Sequence, residues 1–213
     1  GVAPPVISHY DAPSTDHVGG YMKISPNGKK VAIASVMGKS FLALFDFDTK
    51  TGKVSNPMLL GDTINRNRKY YGLTFSPDNS KLYAADLNGG LNSFMQYETD
   101  VQDVYSSGTS IKSGNGMIAM QIGPDGKIYA SFGLSNSLSV IDYPNLKGDS
   151  CSLRRNVVPF RGLLYYGLPN FMDYIFNKEG IPALVKCTAP NVVTQPDSGC
   201  IGSTLVFTDK SID

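Results

Sequence analysis

The chain has 213 residues, 41% of them hydrophobic, and a formal net charge of +1 from 19 basic and 18 acidic side chains. That length holds one domain, or one domain and a small extra piece, around a real core. The near-neutral balance gives no global field toward nucleic acid or an anionic membrane, and no apolar run approaches the roughly 18 residues that span a bilayer.

The chain opens on "GVAPPVISHYDAP", an extended Pro-containing stretch without the basic, apolar and small-residue blocks of a signal peptide. Such a start is expected of a mature or excised fragment. Residues 1–18 read as an extended opening segment or an outer strand. The two histidines, His9 and His17, lie here with Asp11 and Asp16. These four side chains could hold a metal ion, but no strand or helix spacing orients them. The polar-loop reading is preferred, and no metal or other cofactor is expected.

From residue 19 a phrase recurs. It runs Met22-Lys-Ile24-Ser-Pro26-Asn-Gly28, then Leu73-Thr-Phe75-Ser-Pro77-Asp-Asn79, then Met120-Gln-Ile122-Gly-Pro124-Asp-Gly126. Proline presets the first central position of a turn, and Asp or Asn followed by Gly or Asn tolerates positive φ. A short apolar strand precedes each turn, and a second strand with a Val/Ile/Leu start and small Ala residues follows. Each copy continues into a third strand: "SFLALFDFD" (40–48), "LNSFMQYETD" (91–100) and "NSLSVIDYPN" (136–145).

A period of about 50 residues with three or four strands per unit is the arithmetic of β-propeller blades. Runs such as "FLALFDF" do not alternate between apolar and polar, which fits blades covered on both faces. Residues 109–120 could be stretched into a helix, but Gly114 and Gly116 argue against it. The predicted fold is therefore all-β, with three clear blades. A fourth, partial unit is predicted at "GLLYYGLPNFMDYIF" (162–176). The chain reads as a complete small propeller or, in the preferred reading, as the C-terminal part of a larger one. Without tryptophan it is a poor match to the WD40 type.

Of three cysteines, Cys187 and Cys200 bracket a loop that a disulfide would close, a contribution of roughly 3 kcal/mol in the loop-entropy model. Cys151 would then stand single. The alternative is three reduced thiols. No CxxC pair or nearby histidine supplies a zinc site.

The ordered phrases from Gly20 through "LFDFDTKTGKVSNP" (44–57), "YGLTFSPDNSKLY" (71–83), "QIGPDGKIY" (121–129) and "GLPNF" (167–171) resemble the propeller region of large secreted surface proteins of Bacteroidetes. Those proteins often carry PKD-like modules and a C-terminal type IX secretion sorting domain, of the kind associated with gliding motility. The resemblance covers about residues 19–176. The tail "SGCIGSTLVFTDKSID" (198–213) resembles the opening strand of a PKD-like immunoglobulin module, though the rest of such a module does not follow. The resemblance implies a bacterial cell-surface or secreted location and neighbouring domains of the same large protein. It brings no catalytic motif. The implied division is 1–18, blades over 19–186, and a linker with the first PKD/Ig-like strand over 187–213.

Enzyme motifs are not found. No G-x-S-x-G elbow occurs, and "GKS" (38–40) lacks the earlier glycine that a P-loop needs. "DFDTKTG" (46–52) places Lys50 where a calcium loop needs an oxygen ligand, so it reads as a turn between strands. Recognition concentrates in loops. The low-ranked ligand-binding candidates are Arg66, Arg68, Tyr70, Tyr71, Tyr165 and Tyr166, at or near the starts of inner strands. Aromatics beside amides and guanidinium groups can stack on and hydrogen-bond a sugar or peptide; the competing reading packs the tyrosines between blades. The expectation is a non-catalytic module that binds protein or polysaccharide, as in adhesion, with no nucleic acid partner and no direct membrane insertion. Its rivals are a pure spacer and a propeller hydrolase or lactonase.

Overall fold

The proline-centred phrase forms the same turn three times. The computed structural model describes residues 4–10, 19–37, 40–62, 68–87, 93–113, 117–165, 167–170 and 173, and the backbone of 192–195 and 206–209. In successive copies Gly28 N–H donates to Ser25 O at 2.8 Å, Asn79 N–H to Ser76 O at 2.9 Å and Gly126 N–H to Gly123 O at 3.0 Å. Gly28, Asn79 and Gly126 take φ values of 71°, 69° and 74°, the left-handed region that glycine and asparagine tolerate best. The Ser25 and Ser76 hydroxyls accept from the N–H groups of Lys30 and Lys81 and donate to Asn27 Oδ1 and Asp78 Oδ1. In the third copy Gly123 has no hydroxyl, but Asp125 Oδ1 takes the Lys127 N–H just as Asn27 Oδ1 and Asp78 Oδ1 take those of Lys29 and Ser80.

Each turn joins the first two strands of a four-stranded antiparallel meander. The first contains β1 (Met22–Ile24), β2 (Lys30–Ser35), β3 (Phe41–Asp48) and β4 (Lys53–Asp62). The second contains β5 (Tyr70–Phe75), β6 (Lys81–Asp86), β7 (Ser93–Glu98) and β8 (Thr109–Lys112). The third contains β9 (Met117–Ile122), β10 (Ile128–Phe132), β11 (Ser135–Ile141) and β12 (Leu153–Leu164). These are three consecutive blades of a β-propeller, and the fold is all-β. The fourth strands, β4, β8 and β12, lack any shared sequence phrase. Residues 109–120, weighed as a helix, supply β8 and β9 instead. The "DFDTKTG" stretch closes the β3–β4 turn: Lys50 N–H and Thr51 Oγ1 donate to the Asp48 carboxylate, and Gly52 N–H donates to Asp48 O.

Two apolar layers lie between the blades. Ala32, Ala34, Leu42 and Leu44 of the first blade meet Leu73, Phe75, Leu82 and Ala84 of the second. Tyr83, Ala85, Phe94 and Ile111 on the other face of the second blade meet Met120, Ile122, Ile128 and Ala130 of the third. Both faces of the middle blade are thereby dry, which explains why its strands read as continuous apolar runs. Polar keys set the spacing. Asn27 N–H donates to Asn79 Oδ1 across adjacent turns at 2.7 Å, and Tyr83 Oη reaches Pro144 O at 2.7 Å. On the outer face of the first blade, Tyr10 of the opening segment stacks edge-on against Phe45 at 5.0 Å.

The predicted fourth phrase resolves differently at its start. Gly162, Leu163 and Leu164 complete β12 of the third blade, and residues 167–170 contain no strand. Of the remainder of that phrase only Tyr165 and Asp173 are described. The chain divides into two compact units, Gly1–Glu179 and Gly180–Asp213. In the second, β13 (Val192–Gln195) pairs antiparallel with β14 (Val206–Asp209). Cys187 and Cys200 lie outside the described residues. Cys151 is buried as a free thiol. No helix among the described residues is long and apolar enough to cross a membrane.

Candidate functional site

The first strand of each blade is the inner one, with β5 beside β1 and β9 beside β5. One residue before the apolar residue that leads into each turn, all three inner strands carry a hydrogen-bonding side chain: Lys23, Thr74 and Gln121. The repeat therefore delivers three polar groups to one place, and all three are buried. Asp173, from beyond the third blade, completes the cluster.

Lys23 Nζ lies 3.2 Å from Asp173 Oδ1, and the two side chains are 1% and 0% exposed. Gln121 Nε2 donates to the same Oδ1 at 2.7 Å, and Thr74 Oγ1 donates to Oδ2 at 3.3 Å. Lys23 Nζ also donates to Gln121 Oε1. Burial pushes the Lys23 ammonium below the usual lysine range, while the Asp173 carboxylate pulls it back upward. Among the described residues the cluster is thus a hydrogen-bonded circuit in which the Lys23 ammonium faces the Asp173 carboxylate. Beside it, Tyr21 Oη donates to Leu168 O at 3.4 Å and accepts from Leu168 N–H at 3.3 Å. These bonds hold the 167–170 segment against the start of β1.

The residues singled out from sequence occupy other places. Tyr70 is fully buried at the interface of the first two blades. Its hydroxyl lies 3.0 Å from that of Tyr97, and burial raises its pKa. Tyr71 is half-buried and packs edge-on against Tyr21 at 5.4 Å. Arg68 forms an ion pair with the buried Asp86. Tyr165 is 62% exposed. Arg66 and Tyr166 lie outside the described residues, as do His17, Asp11 and Asp16, whereas His9 is exposed. Among the described residues no group of three His, Cys, Asp or Glu side chains is placed to hold a metal.

No family model and no curated protein matches the chain. Among solved structures it is similar to the hydrazine synthase of Kuenenia stuttgartiensis, at 19% identity and a TM-score of 0.44, over 73% of this chain and 40% of that one. It is similar to virginiamycin B lyase from Staphylococcus aureus at 16% identity and a TM-score of 0.46, over 70% and 44% of the two chains. A periplasmic gluconolactonase from Pseudomonas aeruginosa matches at 16% identity and a TM-score of 0.45, over 67% and 42%. The chain spans less than half the length of each of these proteins.

Sequence reasoning missed the axial cluster. Its signal was present as a column of the repeat: Met-Lys-Ile, Leu-Thr-Phe and Met-Gln-Ile each set one polar residue between two apolar ones. Asp173 gave no such signal, because its role depends on where the chain returns after the third blade.

Proposed function

We propose that this chain is a non-catalytic recognition module in a large bacterial surface or secreted protein, with a protein or polysaccharide as its partner. Neighbouring PKD-like domains, type IX export and an adhesive role belong to the same proposal and rest on the ordered phrases over residues 19–176. The observation that carries the recognition reading is the convergence of Lys23, Thr74 and Gln121 on one carboxylate. Three apolar side chains would pack an axis at a smaller desolvation cost than a charged pair. Three different hydrogen-bonding groups form a directional carboxylate site instead, filled by Asp173 in this structure. The repeat holds them on paired strands, so their geometry is set before any partner arrives.

A second reading, a propeller hydrolase or lactonase, draws on the same cluster. Lys23, with its pKa lowered by burial and a carboxylate at 3.2 Å, is a proton donor–acceptor pair. The two readings separate in one experiment on the purified chain. Thermal melts are recorded against acidic and neutral polysaccharides and extracellular-matrix peptides, and lactone hydrolysis is followed in parallel. A saturable rise in Tm without turnover supports recognition. Lactone turnover that is lost in a Lys23→Met variant still folded at the assay temperature supports the enzyme. A sharp melt that moves for nothing and turns nothing over supports a spacer that orients its neighbours.

A further inference from the structure

Ser35, the last residue of β2, carries a buried hydroxyl that has no hydrogen-bond partner: the residue is 4% exposed and its Oγ is unpaired. Its backbone is fixed from both sides. Ala34 N–H donates to Tyr21 O at 2.8 Å, Val36 N–H donates to Gly19 O at 3.2 Å, and Ser40 Oγ donates to Ser35 O. Strand alternation turns Ser35 away from the side of Ala34, which faces the second blade, and toward the side of Ile33 and of its register partner Phe41. On that side lies a cavity of ≈ 450 Å³ whose walls include Tyr10, Met22, Ile33, Ser35 and Phe41, and no charged side chain lines it.

We infer that this cavity is a binding site for a neutral aromatic ring bearing one hydroxyl, either a free phenol or the side chain of a tyrosine. The site goes beyond the recognition reading, since none of its walls belongs to the axial carboxylate cluster. Its volume falls within the roughly 300–1,000 Å³ of small-ligand sites. Tyr10 and Phe41, with ring centroids 6.3 Å apart and planes inclined at 58°, give an apolar ring both a face and an edge to pack on. A charged ligand would lose its hydration here without meeting a counter-charge. A sugar ring brings several hydroxyls, and among the described lining residues only Ser35 has a buried side-chain hydroxyl in need of a partner. A phenol brings one group that both donates and accepts, and the serine hydroxyl does the same. An unpaired buried hydroxyl lowers stability, and a bound ring that hydrogen-bonds to it reverses that loss.

The test is an NMR titration of the full chain at pH 7 with p-cresol, toluene, 4-methylbenzoate and methyl glucoside, read at the Ile33 methyl resonances. p-Cresol is expected to shift them saturably, and toluene to bind about tenfold more weakly for want of the hydrogen bond. The charged acid and the sugar are expected to leave them in place. Ser35→Ala is expected to bind p-cresol and toluene alike. Without ligand it is expected to melt about 2 °C or more above wild type, because the unpaired hydroxyl is gone. Wild-type Ile33 resonances that p-cresol does not move, or that respond equally to toluene or methyl glucoside, overturn the inference. A preference for p-cresol that survives Ser35→Ala, or a Ser35→Ala variant less stable than wild type, overturns it as well. N-acetyltyrosinamide added to the p-cresol complex then separates the two sources: displacement of p-cresol supports a tyrosine of a protein partner, and its failure to displace supports a free phenol.

Discussion

Lys23 on the first inner strand and Asp173, 150 positions later in the chain, form an ion pair with both side chains closed to solvent. The contact ties the first blade to the segment that follows the third. Thr74 and Gln121 make the intervening blades party to the same carboxylate. Removing either charge alone takes from the other its ion-pair partner in a dry site, a loss of about 3–5 kcal/mol. Lys23→Met and Asp173→Leu are each expected to lower the urea midpoint strongly. The double variant is expected to recover most of the loss, because both charges of the pair are then gone from the dry site. A double variant as unstable as the sum of the two single ones would show that the pair is not a unit.

Tyr97 and Tyr70 meet at 3.0 Å, and Tyr97 Oη donates onward to Leu60 O at 3.2 Å. In that chain Tyr70 is the donor and Tyr97 the relay. Tyr70→Phe deletes the first donor and leaves the Tyr97–Leu60 bond in place, at a cost of about 1 kcal/mol. Tyr97→Phe leaves the buried Tyr70 hydroxyl and the Leu60 carbonyl both without their partner, at about 2–3 kcal/mol. Chemical denaturation of the two variants gives the order directly.

Gly72 is a steric requirement of the inner strands. A Cβ at this position of β5 would lie 2.1 Å from the carbonyl oxygen of Ile118 on β9. The obstacle is backbone, so relief requires the two blades to separate. Gly72→Ala is expected to cost about 3 kcal/mol or more, the upper end for overpacking, with a matching fall in Tm.

Burial pushes the Cys151 thiol up to about 11, and a hydrogen bond with Tyr83 only partly offsets this. At pH 8 the folded protein is therefore expected to resist iodoacetamide at Cys151, read by mass spectrometry of the peptide that contains it. The pH dependence follows in sign. Above the ordinary thiol pKa the unfolded chain loses this proton while the folded chain keeps it, so the native state binds more protons. The stabilisation is complete below the ordinary thiol value and falls as pH rises, until it is lost once pH passes about 11. Cys151→Ala is expected to melt with a shallower decline than wild type between pH 8 and 10.

The sequence by itself determined the blades. Proline, an Asx residue and a residue tolerant of positive φ are local chemistry, and they form the same turn wherever they occur. The strands on either side follow from composition. The third strands were legible for the same reason, and "DFDTKTG" was legible as a turn because Lys50 spoils it as anything else. Only the tertiary structure decided which tyrosine was buried. Tyr70 and Tyr71 are adjacent and chemically identical, and strand alternation sends one into the interface and the other toward Tyr21. Nor could the three-blade column of Lys23, Thr74 and Gln121 be assigned to an axis before the blades were stacked. Asp173 was the least legible of all. A carboxylate between apolar residues carries no local signal for a lysine 150 positions away, and its partner is fixed by the path of the chain around the blades.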